Sequence, residues 1–160
     1  MTDELLDFTG QVILVTGGST GIGRATALAF AKRGAKVVGD VSDLGAKTIE
    51  LIKAAGGEGL YVKTNVADAT QVRALVDTTV KTYGGLHCAF NNAGILPPTL
   101  PLAEQEDDVY DRVMAVDVKG VFLCLKYEIA HMLKAGRCHR QHCISGGHYC
   151  RSRNGALRRC

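Results

Sequence analysis

Residues Thr16 to Gly23 read TGGSTGIG. The apolar, β-branched run Gln11–Thr16 precedes them, and the Ala-rich run Ile22–Arg33 follows and stops at Gly34. A strand, a glycine turn and a helix start together can bring a main chain up against a pyrophosphate. The glycines let the chain turn sharply and approach the phosphates, and the helix start offers unused N–H groups and the positive end of its dipole. The spacing points to dinucleotide binding; the alternative is a plain structural turn. Asp40 closes the next apolar run, Lys36–Asp40, about twenty residues beyond the loop. A carboxylate there accepts hydrogen bonds from an adenosine ribose and repels a 2′-phosphate. Thr20 brings no positive charge to the loop, so NAD is favoured over NADP. The alternative for Asp40 is a turn or cap residue in the polar run GDVSD.

A second chemistry-bearing stretch closes the chain. Gly136–Cys160 holds four of the six cysteines, three of the five histidines and six arginines, with no Asp or Glu. Cys138, His139, His142, Cys143, His148 and Cys150 are nominal zinc ligands. They are crowded, whereas zinc sites favour two spaced pairs separated by a longer loop. A basic tail also suits nucleic acid, but Tyr149 is its only aromatic platform, so a nucleic-acid partner is disfavoured. Cys88 and Cys124 sit among apolar neighbours and read as small buried hydrophobes, while His87 and His131 lack a partner motif.

The elements that must position these groups alternate. Lys36–Asp40 and Leu60–Val66 read as further strands, and His87–Gly94 as a fourth strand running into a loop. Leu44–Ala55 and the segment from Asp68, capped with Gln71, to Tyr83 read as amphipathic helices. Glu106–Leu133 is helical in pattern, with a break near Gly120. Strand–helix alternation with short connections predicts an α/β fold of right-handed βαβ units: a doubly wound parallel sheet with about four strands. At 160 residues and 46% hydrophobic, the chain is one domain or part of one. The start MTDELLDFTG has no signal-peptide character and no apolar run reaches membrane-spanning length, so the expected address is cytoplasmic, with no membrane contact.

TGGSTGIG, NNAG at Asn91–Gly94 and VMAVDVKGVFLC at Val113–Cys124 together resemble the short-chain dehydrogenase/reductase family over residues 8–135. The resemblance implies a Rossmann-like domain with a seven-stranded parallel sheet. It implies hydride transfer between NAD(P) and a secondary alcohol or ketone, or, as an alternative role, reduction of 3-oxoacyl carrier-protein esters. It places Gly17, Ser19, Thr20, Gly21, Ile22 and Gly23 at the pyrophosphate and Asp40 at the adenosine ribose. Asn65 and Val66 stand where the family has an Asp-Val pair beside the adenine. Asn92, Ala93 and Gly94 pass near the nicotinamide ribose. Asp117 occupies the position of a catalytic Asn that bonds to backbone and to a relay water; Asp lacks the amide donors for that role. Family members are homo-oligomers, and the counterpart of helix 106–133 pairs subunits.

The family's chemistry also needs a Ser, a Tyr and a Lys four residues after the Tyr, which lowers the Tyr pKa. Tyr149 is followed four residues on by Arg153, which cannot shuttle a proton, and Ser145 lies too close to it. Residues 1–135 therefore read as the N-terminal part of a dinucleotide-binding domain and 136–160 as an aberrant, irregular tail. The genetic code offers a reason. Read one base later, the codons for Arg137–His148 permit Gly-Ala-Ile-Val-Asn-Thr-Ala-Ser-Val-Ala-Gly without conflict, a buried strand ending at a Ser. A Tyr codon is allowed across Leu157 and Arg158. A single-base frameshift near Ala135–Gly136 is the expectation, leaving a cofactor-binding remnant with weak or no NAD binding and no turnover. The nucleotide sequence tests it: codons over 137–148 that cannot encode that run in the shifted frame end the idea.

Overall fold

The computed structural model describes residues 7–39 and 44–134, and the backbone of two strands within 142–151. Val12–Thr16 forms β1, Lys36–Gly39 β2, Glu58–Tyr61 β3 and Cys88–Asn91 β4. All four pair in parallel in the order β3-β2-β1-β4, the doubly wound arrangement expected from the alternation. Helices α1 (Gly21–Ala31), α2 (Gly45–Ala54) and α3 (Ala69–Tyr83) make the crossovers.

β1 shows why the run is unbroken in its hydrophobicity. Ile13 and Val15 pack with Ala27 and Ala31 of α1, and with Ile49 and Ile52 of α2. Leu14 points to the opposite face, where it packs with Leu75 and Val76 of α3. A strand covered on both faces has no side left for polar residues.

Asp68 caps α3 by accepting from the N–H groups of Thr70 (2.8 Å) and Gln71 (3.2 Å). The Gln71 side chain does not close the reciprocal half of a capping box. Its Oε1 accepts instead from Asn65 N (2.9 Å), tying the helix start to the preceding loop, while its Nε2 donates to Asp68 Oδ2 (3.0 Å).

Two boundaries differ from the sequence pattern. The third strand is Glu58–Tyr61, not Leu60–Val66, because β2 offers only four residues to pair with, from Lys36 opposite Glu58 to Gly39 opposite Tyr61. Past Tyr61 a single bond from Val62 N to Gly39 O (3.0 Å) continues the ladder before the chain turns away. The helical segment 106–133 is three pieces: α4 (Asp107–Val113), a π-helical turn (Met114–Gly120) and α5 (Val121–Lys134). The expected break near Gly120 is thus a change of winding that keeps the helix going. On the outer surface of this segment Tyr110, Val118 and Phe122 are exposed.

The stretch expected to be irregular also contributes strands. β5 (His142–Ser145) adds to β4 in parallel, and β6 (His148–Arg151) turns back antiparallel to β5. Their pairing uses main-chain N–H and C=O groups, which every residue but proline carries, so the open edge of β4 accepts a segment with no strand pattern of its own. Asp40 and the tail side chains named as zinc ligands lie outside the described residues. Among the described residues no group of three His, Cys, Asp or Glu could hold a metal ion, and no helix is long and apolar enough to cross a membrane.

Cys88 and Cys124 are buried, as their neighbours in sequence imply. Burial pushes the Cys88 thiol up to about 11, helped by the negative charge of Glu128, against a smaller opposing pull from the Ala89 N–H.

The helix cap gives the fold a pH signature. Hydrogen bonds from the Gln71 and Thr70 N–H groups hold the Asp68 carboxyl below its ordinary value. A carboxyl lowered by folding stabilises the fold above its unfolded pKa, and that contribution fades as pH falls through the folded value. Asp68→Ala is expected to lower the melting temperature at neutral pH, with the gap to the parent closing below about pH 4; thermal unfolding followed by circular dichroism across that range checks it.

Candidate functional site

In this sheet the chain moves from β1 outward to β2 on one side, and β4 lies on the other. A crevice therefore opens at the carboxyl ends of β1 and β4, where open α/β sheets place their ligands. The loops that follow β1 and β4, residues 17–20 and 92–96, line it.

The first loop is built for close approach. Gly17 has φ of 69°, and a Cβ there would come within 2.8 Å of Asn92 Nδ2. A Cβ on Gly23 would run into the Gly17 carbonyl. Glycine at both positions lets α1 start directly against the turn. Ser19 is buried, whereas Thr20, Gly21 and Ile22 are exposed at the crevice. The Thr20 side chain makes no capping bond and the first turn of α1 holds no acid. The helix start thus keeps its N–H groups and positive dipole end for an anion, and the residues present fit a pyrophosphate.

Thr16 at the end of β1 joins the two loops. Its Oγ1 accepts from Asn92 N (2.9 Å) and Ala93 N (3.1 Å), while Asn92 Nδ2 donates to the Thr16 carbonyl at 3.3 Å. The expected site residues Gly17, Gly23 and Asn92 thus crowd one another, with Ala93 against Gly17. Gly94 follows them to the half-buried carboxylate of Asp117, which comes from the π-helical turn; Asp117 Oδ1 accepts from Ile95 N at 2.9 Å. The amide donors that Asp lacks are not needed for this bond, because here the side chain only accepts.

Asn65 and Val66 follow β3 on the same edge. Asn65 Oδ1 accepts from Ala67 N (3.0 Å), so the side chain shapes its own turn and stays exposed. Val66 is buried against Gly120, which ends the π-helical turn carrying Asp117.

One residue escapes the sequence reading. Glu128 on α5 is fully buried, and its Oε2 accepts from Asn91 Nδ2 at 2.9 Å. Asn91, the last residue of β4, thus ties that strand to the helix that follows the site. A signal was present: Cys124, Glu128 and Met132 repeat every four residues, which puts a carboxylate in the middle of an apolar helix face.

The short chain dehydrogenase family model matches residues 11–139. The chain belongs to the short chain dehydrogenase family. It is 45% identical over 134 residues to a Thermotoga maritima protein named an uncharacterized oxidoreductase, covering 82% of this chain and 52% of that one. It is 41% identical over 131 residues to the 2,5-dichloro-2,5-cyclohexadiene-1,4-diol dehydrogenase of Sphingobium indicum, covering 81% of this chain and 52% of that protein. A short chain dehydrogenase/reductase from Burkholderia phymatum, solved in complex with NAD, superposes with a TM-score of 0.80 at 34% identity, covering 88% of this chain and 50% of that one. A metagenomic short-chain oxidoreductase in complex with NADP superposes with a TM-score of 0.79 at 30% identity, covering 86% of this chain and 62% of that one. The chain spans about half the length of the curated relatives it matches.

Thr16 is the test of how the two loops are held in this chain. Its side chain is buried, so Thr16→Val would leave the Asn92 and Ala93 N–H groups without their shared acceptor. A loss of about 1–3 kcal/mol of unfolding free energy is expected, measured by urea denaturation.

Proposed function

We propose that the chain is the cofactor-binding part of an oxidoreductase that transfers a hydride between a nicotinamide dinucleotide and a secondary alcohol or ketone. The observation that carries this reading is the uncapped start of α1 set against the Gly17–Gly23 turn at the crevice between β1 and β4. The bound dinucleotide would supply or accept the hydride. Gly17, Ser19, Thr20, Gly21, Ile22 and Gly23 would hold its pyrophosphate. Asn65 and Val66 would flank the adenine end, and Asn92, Ala93 and Gly94 the nicotinamide ribose.

NAD is the preferred cofactor in this reading, because Asp40 accepts from the ribose hydroxyls and repels a 2′-phosphate. The Sphingobium indicum relative, whose name records an alicyclic diol as substrate, supports an alcohol or ketone here. Substrate choice would depend on parts of the relatives that this chain does not match.

Turnover is a separate matter. The chain has no Tyr followed four residues later by Lys, so the proton chemistry of the family has no carrier here. The frameshift reading accounts for that: β5 sits beside β4, with Ser145 opposite Asn91, where the shifted frame would encode a strand ending at a Ser. The chain as it stands is thus a weak cofactor binder without dehydrogenase activity.

Titration of the 160-residue chain with NAD+, followed by ligand-observed NMR, tests the reading. Weak saturable binding is expected. Gly23→Ala, which forces a methyl into the Gly17 carbonyl, is expected to reduce it by at least about tenfold. Dehydrogenase turnover by the parent chain would overturn the assignment as a non-catalytic binder, and absence of NAD+ binding would overturn the cofactor reading.

A further inference from the structure

We propose that Asp117 makes the site favour the oxidised, cationic form of the nicotinamide cofactor over the reduced form. The inference rests on the cofactor reading above and adds to it a property of one side chain.

The order of the sheet sets the direction of the bound dinucleotide. An acid after β2 takes the adenosine ribose, and the start of α1 takes the pyrophosphate. The nicotinamide half must then run the other way across the crevice, toward the loop that follows β4. That loop is fastened to Asp117. The carboxylate accepts from Ile95 N at 2.9 Å, and both of its oxygens lie within 4 Å of the point where a Cβ on Gly94 would stand. Gly94 has no side chain to screen the carboxylate from the crevice.

The two redox forms differ in charge at one place. The oxidised nicotinamide ring carries a positive charge; gaining a hydride, a proton with two electrons, removes it. Adenine, both riboses and the pyrophosphate are the same in the two forms, so the ratio of their affinities isolates what surrounds the ring. A carboxylate beside the loop attracts the cationic ring and does nothing comparable for the neutral one. The asparagine that the family resemblance places here would accept the same Ile95 N–H bond without the charge. In a partly exposed setting one such charge is worth about three- to tenfold in relative affinity, less at high salt.

The test is a pair of titrations of the full chain, with NAD+ and with NADH, repeated for Asp117→Asn. Asparagine keeps a side-chain carbonyl for Ile95 N, so the tether survives while the charge is lost. The expected result is a fall of about three- to tenfold in the NAD+ to NADH affinity ratio in the variant. In the parent the ratio should also shrink between low salt and about 0.5 M salt, which a purely structural role for Asp117 would not produce. Asp117→Ser removes the same charge and replaces the Asn variant if that one does not fold. A ratio that moves less than about twofold on neutralisation overturns the proposal and leaves cofactor binding intact. Failure of the parent chain to bind either form overturns the cofactor reading, and the proposal with it.

Discussion

β1 is covered on both faces and hydrogen-bonded along both edges, and the remaining elements take their places from it. With Ile13 and Val15 committed to α1 and α2, and Leu14 committed to α3, a slip of one residue would exchange the faces. Each such side chain contributes about 1.5–3 kcal/mol on burial. β2 and β4 must then lie on either side of β1, since an unpaired main chain at this depth would leave its N–H and C=O groups without partners. The crevice follows from the same placement. The end of β1 is the point from which the chain departs toward β2, with β4 on the opposite side.

Three polar side chains at that end, Thr16, Asn91 and Asp117, are each tied across a gap. Thr16 Oγ1 holds two N–H groups of the loop after β4, and Asp117 holds a third. Asn91, the last residue of β4, reaches the opposite way to Glu128 beneath the site. The loop that would meet the nicotinamide half of a cofactor is therefore fixed from β1 on one side and from the π-helical turn on the other. Hydrogen bonds between main-chain donors and buried or half-buried acceptors resist opening because a broken bond leaves a polar group away from water.

Much of this was legible in the residues. The strand character of Val12–Thr16, the glycine turn and the helix after it are local patterns, and local patterns follow from propensity and from periodicity. The cap on α3 was legible too, as Asp68 with Gln71 three residues later. The strand at Glu58–Tyr61 was not, because its ends depend on how far β2 reaches beside it. Glu128 left a trace in the four-residue repeat with Cys124 and Met132, but no trace of its partner. The strands of the tail left none, since β5 is paired by β4, and β6 by β5, through the main chain.

The amino-acid sequence by itself determined the βαβ alternation, the glycine turn at the start of a helix, and membership of a family of oxidoreductases. Each of these is written in neighbouring residues. Only the tertiary structure decided that Thr16 bridges two loops 76 residues apart in sequence, that Glu128 is buried under Asn91, and that Asp117 faces Gly94 and Ile95. Those contacts join residues distant along the chain. They exist because the parallel sheet brings the ends of β1 and β4 to one edge, and because the π-helical turn presents Asp117 to that edge.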